Sequence, residues 1–255
     1  MFKKNLIKKS LPIVLFLSVI INLSFGAEPD FHAMLEEIDR TGNFDNYDFS
    51  CVYTIVSEKP GEETSLTQAR MFRRDRTDQF VLLILKPDTQ KGQGYLQMDE
   101  NVWFYDPESR KFSYSSMKEN IQNSDTKNSD LNRNSLAEDY DVTGWTETKL
   151  GNFAVYLLDL TARHNEVSYP KMKIWIRKDR PLVLKAEEYS LSDRLMRTVY
   201  YPKYVQVGDQ YLPSQMLFVD NLKEGEKTQL TMKDASVAPL PDSVFTKAFL
   251  ERVNN

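Results

Sequence analysis

The chain has 255 residues, of which 41% are hydrophobic, 12% aromatic and 27% charged, a composition that supplies a globular core and excludes collagen-like, coiled-coil and wholly disordered readings. Lys and Arg number 33 against 37 Asp and Glu, a net charge of -4, so no broad basic surface is available and nucleic acid is not expected as a partner. Two histidines, His32 and His164, and the lone Cys51 cannot supply a zinc site, a His-paired nucleophile with ligands to spare, or an intrachain disulfide.

Lys3, Lys4, Lys8 and Lys9 precede an apolar run over residues 11–23, and the small residues Ser24 and Gly26 occupy the -3 and -1 positions of a cut before Ala27. The run falls short of the roughly 20 residues that span a bilayer, so residues 1–26 are expected to be a secretory signal peptide. Residues 27–255 are then a single exported, soluble domain. Losing four lysines takes its net charge from -4 to -8, which suits solubility and opposes adhesion to anionic lipid.

Phe31, Met34, Leu35 and Ile38 follow the i, i+3, i+4, i+7 rule between a capping Asp30 and Gly42, which predicts a short amphipathic helix. Strand patterns follow over residues 49–56, 67–74, 80–85, 95–98, 102–105 and 112–114, and resume over 140–150, 153–160, 172–177, 182–189, 195–205, 212–219 and 229–237. Turn signals such as Gly151-Asn152, Lys178-Asp179, Gly208-Asp209 and Glu224-Gly225 separate them, and no βαβ alternation occurs. The class is therefore mainly β (α+β), an antiparallel meander. Between the two series lies a long polar stretch, residues 116–138, rich in Ser, Asn, Asp and Lys. Segments of that length are disordered insertions or functional lids. Met117 and Ile121, spaced i, i+4, predict one or two helical turns lying across an apolar surface, and we expect a mobile lid whose Met117 and Ile121 touch the cavity when it is empty. Pro239, Pro241 and a capping Asp242 open a closing helix with Val244, Phe245, Ala248 and Phe249 as its apolar positions.

Catalytic signatures are missing: there is no Gly-x-Ser-x-Gly elbow, phosphate-binding Gly loop, Cys-x-x-Cys pair or His-Glu-x-x-His helix. Carboxylate pairs such as Asp139 with Asp141 or Glu187 with Glu188 are uninformative among 37 acids. His32 and His164 read as surface or capping residues, Cys51 as a small buried hydrophobe, and the run Arg70, Arg73, Arg74, Arg76 as a solvated strand edge rather than a receptor for an acidic partner or headgroup. Neither an enzyme nor a cofactor is expected.

Apolar supply is large instead. Residues 80–85 and 103–105 are apolar on both faces and must be covered on both sides. Met172, Ile174 and Ile176 alternate with Lys171, Lys173 and Arg177, and Leu230 and Met232 with Gln229, Thr231 and Lys233, so one sheet face is polar and the other apolar. Two short helices and a polar loop fill little of so wide a sheet, which leaves room for an apolar ligand. By alternation the expected lining is Met71, Phe80, Leu82, Ile84, Leu96, Met98, Phe112, Tyr114, Met172, Ile174, Ile176, Leu184, Met216, Phe218, Leu230 and Met232.

The segment Lys91-Gly92-Gln93-Gly94-Tyr95-Leu96, followed by Trp103-Phe104-Tyr105-Asp106-Pro107, resembles the hairpin of the outer-membrane lipoprotein-sorting proteins, the LolA-like periplasmic carriers. Lys173-Ile174-Trp175-Ile176, the Arg180-Pro181 turn and the closing Pro239-Leu240-Pro241-Asp242 with Phe245 extend the resemblance over most of the chain. It implies an unclosed, strongly bent antiparallel half-barrel with N-terminal and C-terminal helices and a lid on the concave face. It also implies a monomeric periplasmic carrier that shields the acyl chains of lipoproteins, or other lipids, between an inner-membrane release complex and an outer-membrane acceptor. Relatives of the same fold bind other lipids or sense envelope stress, and that alternative stays open.

Overall fold

The computed structural model describes residues 29–98 and 101–253; the signal peptide expected over residues 1–26 lies outside them. Asp30 caps the first helix, α1 (Phe31–Gly42), by accepting the Ala33 N–H at 3.0 Å, and the helix buries Phe31, Leu35 and Ile38. Each of those side chains removed from water is worth about 1.5–3 kcal/mol, which fixes this otherwise short helix against the sheet.

All the strand patterns form. The first series is β1 (Phe49–Glu58), β2 (Ser65–Arg74), β3 (Gln79–Lys86), β4 (Gly94–Met98), β5 (Asn101–Asp106) and β6 (Lys111–Ser115). The second is β7 (Tyr140–Leu150), β8 (Phe153–Ala162), β9 (Lys171–Arg177), β10 (Val183–Tyr189), β11 (Leu195–Val207), β12 (Gln210–Asp220) and β13 (Lys227–Ser236). They make one 13-stranded antiparallel sheet in the order β6-β5-β4-β3-β2-β1-β13-β12-β11-β10-β9-β8-β7. The chain therefore runs from the middle to one edge, jumps to the opposite edge, and returns until β13 pairs with β1. The edges β6 and β7 do not pair, so the sheet is bent and unclosed, and a single inner core joins Tyr53, Leu82 and Ile84 of the first half to Ile174, Phe218 and Leu230 of the second.

This topology explains residues 116–138. They connect the two edges and must cross the open inner side to do so. No helical turn forms at Met117 and Ile121, contrary to the i, i+4 expectation. Asn120 instead bridges Lys127 as a small antiparallel loop, a 3-10 turn follows at Asn128–Leu131, and only α2 (Leu136–Asp139) is α-helical. Ile121, Leu131 and Ala137 are buried in the inner core, so the polar composition of this strap hides three apolar anchors. Arg73 and Arg74 differ likewise from the solvated edge expected of them: they are 5% and 7% exposed. They point to opposite faces of β2, and each is neutralised where it is buried. Arg73 pairs with Asp75 and donates to Gly42 O at 3.0 Å and Asn132 O at 3.1 Å, tying α1 and the strap to the sheet. Arg74 pairs with Asp48 and Asp242 and donates to Leu240 O.

The latter contacts hold the closing segment on the outer face. There a second core gathers Val81, Leu96, Tyr105, Val244, Phe245 and Leu250, which is how the doubly apolar strands are covered on both sides. The expected closing helix is split into a 3-10 turn at Asp242–Phe245 and α3 (Lys247–Arg252). The extended Thr246 separates the two and caps α3 by accepting the Phe249 N–H, whereas Asp242 is the first residue of the 3-10 turn and pairs with Arg74. Gly94 has a packing role here: a Cβ on it would lie 2.6 Å from Leu250 Cδ2 and 3.2 Å from Leu82 O, so α3 can approach β4 only over a glycine.

Candidate functional site

Between α1, the strap and the inner face of the second half lies a cavity of about 1360 Å³. Its apolar wall is Met172, Ile174, Val183, Ala186, Met216 and Phe218 from β9, β10 and β12, faced by Ile38 of α1 and by Met117, Leu131 and Leu136 of the strap. Its volume exceeds that of ordinary small-ligand sites, and its wall has the apolar surface such sites need.

Of the residues expected to line it, Met172, Ile174, Met216, Phe218 and Met117 do so. Met71, Phe80, Leu82, Ile84, Ile176, Leu230 and Met232 share the inner face but are buried in the core next to the cavity, in one cluster with α1, Phe44, Ile121 and Leu131. Leu96, Met98 and Phe112 lie on the opposite, outer face, in the second core. The reason is register: Leu82 stands opposite Tyr95 and Val81 opposite Leu96, so the odd positions of β4 turn inward. Tyr114 opposes Trp103, makes a ring contact with it, and is 63% exposed on the edge strand, touching only the border of the cavity. Leu184 falls in a register shift between Val183 and Lys185, which turns Val183 and Ala186 inward in its place.

Polar groups that the sequence reading passed over shape the rest of the site. Arg197, 4% exposed in β11, donates to Glu188 at 2.5 and 3.0 Å, to both Asp130 carboxylate oxygens at 2.7 Å, and to Asp125 O at 2.7 Å. Its guanidinium also lies over the Tyr169 and Phe218 rings, 5.1 and 4.8 Å from their centroids. One buried cation thus joins β10, β11 and the strap. Burial pushes the Glu188 carboxyl upward against the pull of Arg197, and the two carboxylates hold the Arg197 guanidinium firmly protonated against its own burial. The alternation of strand residues gave no sign of this, because a charged residue facing inward reads as a mismatch until its partner is known. Tyr204 donates to Val183 O at 2.7 Å and Tyr140 to Tyr169 O at 2.9 Å, so these two tyrosines of the wall have their hydroxyls satisfied.

Among the described residues of the lining, the Ser135 hydroxyl donates to the Asp139 carboxylate and not to an imidazole. His164 sits 3.0 Å from Asp139 and 2.9 Å from Glu166, His32 makes an exposed pair with Glu36, and the Cys51 thiol is pushed up to about 12 by burial. The three carboxylates of Asp125, Asp220 and Glu226 stand within 4.8 Å of one another. Thr228 donates to Asp125, the Leu222 and Lys223 N–H groups to Asp220, and Lys223 Nζ to Glu226, so these contacts account for the acids without a metal.

A family model described only as "Uncharacterized protein" matches residues 76–252, more than half of the chain. No curated protein matches it in sequence. Among solved structures, a LolA superfamily protein from Nitrosomonas europaea is similar at 24% identity with a TM-score of 0.74, over 85% of this chain and 97% of that one. A protein from Vibrio parahaemolyticus described as an outer membrane lipoprotein-sorting protein domain is similar at 19% identity and a TM-score of 0.75, over 87% and 98% of the two chains. A DUF1329 family protein from Desulfovibrio piger matches at 20% identity and 0.75, over 86% and 97%.

Proposed function

The chain belongs to the family whose model spans residues 76–252 and has the bent, unclosed sheet of the LolA superfamily, and from that premise we propose that it is a periplasmic carrier that holds lipoprotein acyl chains in its cavity on the way to the outer membrane. The observation that carries this reading is the 1360 Å³ cavity against an apolar wall from β9, β10 and β12. Burying about 15 methylenes of one acyl chain there is worth on the order of 12 kcal/mol before ordering costs. Spontaneous release into water is then negligible. Loading and unloading proceed as exchanges with an inner-membrane release complex and an outer-membrane acceptor, at intermediate affinity.

The strap supplies that intermediate affinity by acting as a lid. Ile121 and Leu131 cover apolar inner-face residues next to the cavity, so a ligand longer than the present cavity gains Phe80, Leu82 and Ile84 only by displacing them. A binding protein rather than an enzyme is supported by the inert cysteine and the ion-paired histidines. Among the described residues no helix is long and apolar enough to cross a membrane. The other reading, a lipid-binding or stress-sensing module of the same fold, is supported by the unpaired edges β6 and β7, which are open to an added strand. Native mass spectrometry of the protein purified from its own envelope separates the two. Co-purified acylated peptide supports the carrier, free lipid alone favours the lipid-binding module, and ligand-free protein with a bound partner polypeptide overturns the carrier.

A further inference from the structure

The charged residues facing the cavity bear on which acylated molecules it takes. Its lining includes five carboxylates, Asp78, Asp130, Asp139, Glu166 and Glu188, against three permanent cations, Arg73, Lys118 and Arg133. Four further charges stand just behind the wall and cancel: Arg197 behind Glu188 and Asp130, Lys127 over the Tyr169 ring, Asp75 behind Arg73, and Glu138 behind Arg133. Each cation of the lining is already occupied. Arg73 is held by Asp75, Gly42 O and Asn132 O, and Arg133 by Asp78 at 2.6 Å and Glu138 at 3.3 Å. Lys118, exposed at the border, donates to Asn165 O at 2.6 Å, and His164 lies between Asp139 and Glu166.

An anionic headgroup entering this site meets a net negative wall: the two arginines of the lining are already ion-paired, and the lysine stands exposed at the border, bound to a backbone carbonyl, where solvent screens it. Such like-charge contact in a partly desolvated cleft is costly, whereas a neutral headgroup meets hydroxyls, amides and backbone groups and loses little. Resting on the carrier reading above, we infer that the cavity selects against anionic lipids: it takes acyl chains whose attachment is uncharged, such as esters, amides or alcohols, or cationic, and rejects fatty-acid carboxylates and phosphate-bearing lipids. The discrimination is set by the wall, not by the chain, so it appears between molecules of identical tail.

Displacement of the neutral dye Nile red from the mature protein by methyl dodecanoate, dodecanol, dodecylamine and dodecanoate at neutral pH tests it. The expected result is that the ester, alcohol and amine displace the dye and dodecanoate is about tenfold weaker or worse. In Asp78→Asn, Glu166→Gln protein, which removes two wall carboxylates and leaves Arg133 with Glu138 alone, the gap between dodecanoate and its ester narrows. Equal displacement by acid and ester, tighter binding of the acid, or a gap that the double variant leaves unchanged overturns the inference while the carrier reading stands. Failure of every probe to displace the dye overturns both.

Discussion

Replacing Ile121 by Ala probes the strap most directly. Ile121 is 1% exposed and packs in the inner core beside residues that a longer ligand would need. Its truncation removes most of a buried side chain and leaves a void, a change that costs about 2–5 kcal/mol where the site collapses only partly. If the strap competes with ligand, that cost falls on the closed form alone. Each 1.4 kcal/mol is tenfold, so the lower bound of 2 kcal/mol raises the apparent affinity for an acyl probe by up to about 30-fold while the closed form dominates. The strap's polar ties to the sheet, among them Gln122 N–H to Tyr95 Oη and Arg73 to Asn132 O, limit the gain by holding the segment in register. Fluorescent acyl-probe titration gives the affinity, and far-ultraviolet circular dichroism checks that the sheet is intact. Unchanged or weaker binding with an intact sheet refutes competition and makes Ile121 either inert or part of the binding wall.

Arg197→Met leaves Glu188 and Asp130 without their buried counter-charge and is expected to destabilise the fold by about 3–5 kcal/mol in urea unfolding, whereas the triple variant Arg197→Met, Glu188→Leu, Asp130→Leu recovers much of that loss; equal destabilisation of the two contradicts the ionic account. Asp48 is buried, which opposes its charge, but the Arg74 guanidinium and the Leu240 N–H hold its carboxyl at about 2 against an ordinary 3.8. Its contribution of about 2 kcal/mol is therefore present above pH 3.8 and lost as pH falls through 2, so wild type should lose about that much more stability than Asp48→Asn over this window, and parallel pH profiles would refute the assignment.

The strands and their antiparallel pairing with sequence neighbours were legible because period-2 alternation and turn residues are local signals, and Asp30 and Gly42 bounded α1 for the same reason, whereas the pairing of β1 with β13 was not. Face assignment matched the structure along β9 and β13, where apolar and polar residues alternate, and also along β2, β3 and β12, although residues 80–85 and 216–219 are apolar on both faces. It failed at β4 to β6, where both faces are apolar and only the Leu82–Tyr95 pairing decides which side a residue takes. It failed again at Leu184, where a register shift reverses the count. What fastens the strap was not legible either. A 23-residue polar run suggests mobility, yet its hydrophilic residues serve as fasteners: Asp130 to Arg197, Asn134 to Asn43, and the Leu136 and Ala137 N–H groups to Asp39. Burial beneath the strap raises the carboxyl of Asp39, on α1, to about 6 despite those two N–H donors. Long-range ion pairs of this kind leave no local pattern, so Arg73 and Arg74 read as a solvated strand edge, Glu188 as one acid among many, and Arg197 drew no reading at all.

The central claim, that an acyl chain occupies the inner face of the second half, is tested most directly by site-specific photocrosslinking with a benzophenone amino acid at Met172 and, separately, at its neighbour Lys173. Met172 lines the cavity, whereas Lys173 points to the outer face and pairs with Asp159 at 3.0 Å. With a radiolabelled acyl ester bound, the account predicts labelling from position 172 that excess unlabelled ester suppresses and none from position 173, while equal labelling at both, or labelling from 173 alone, would contradict it.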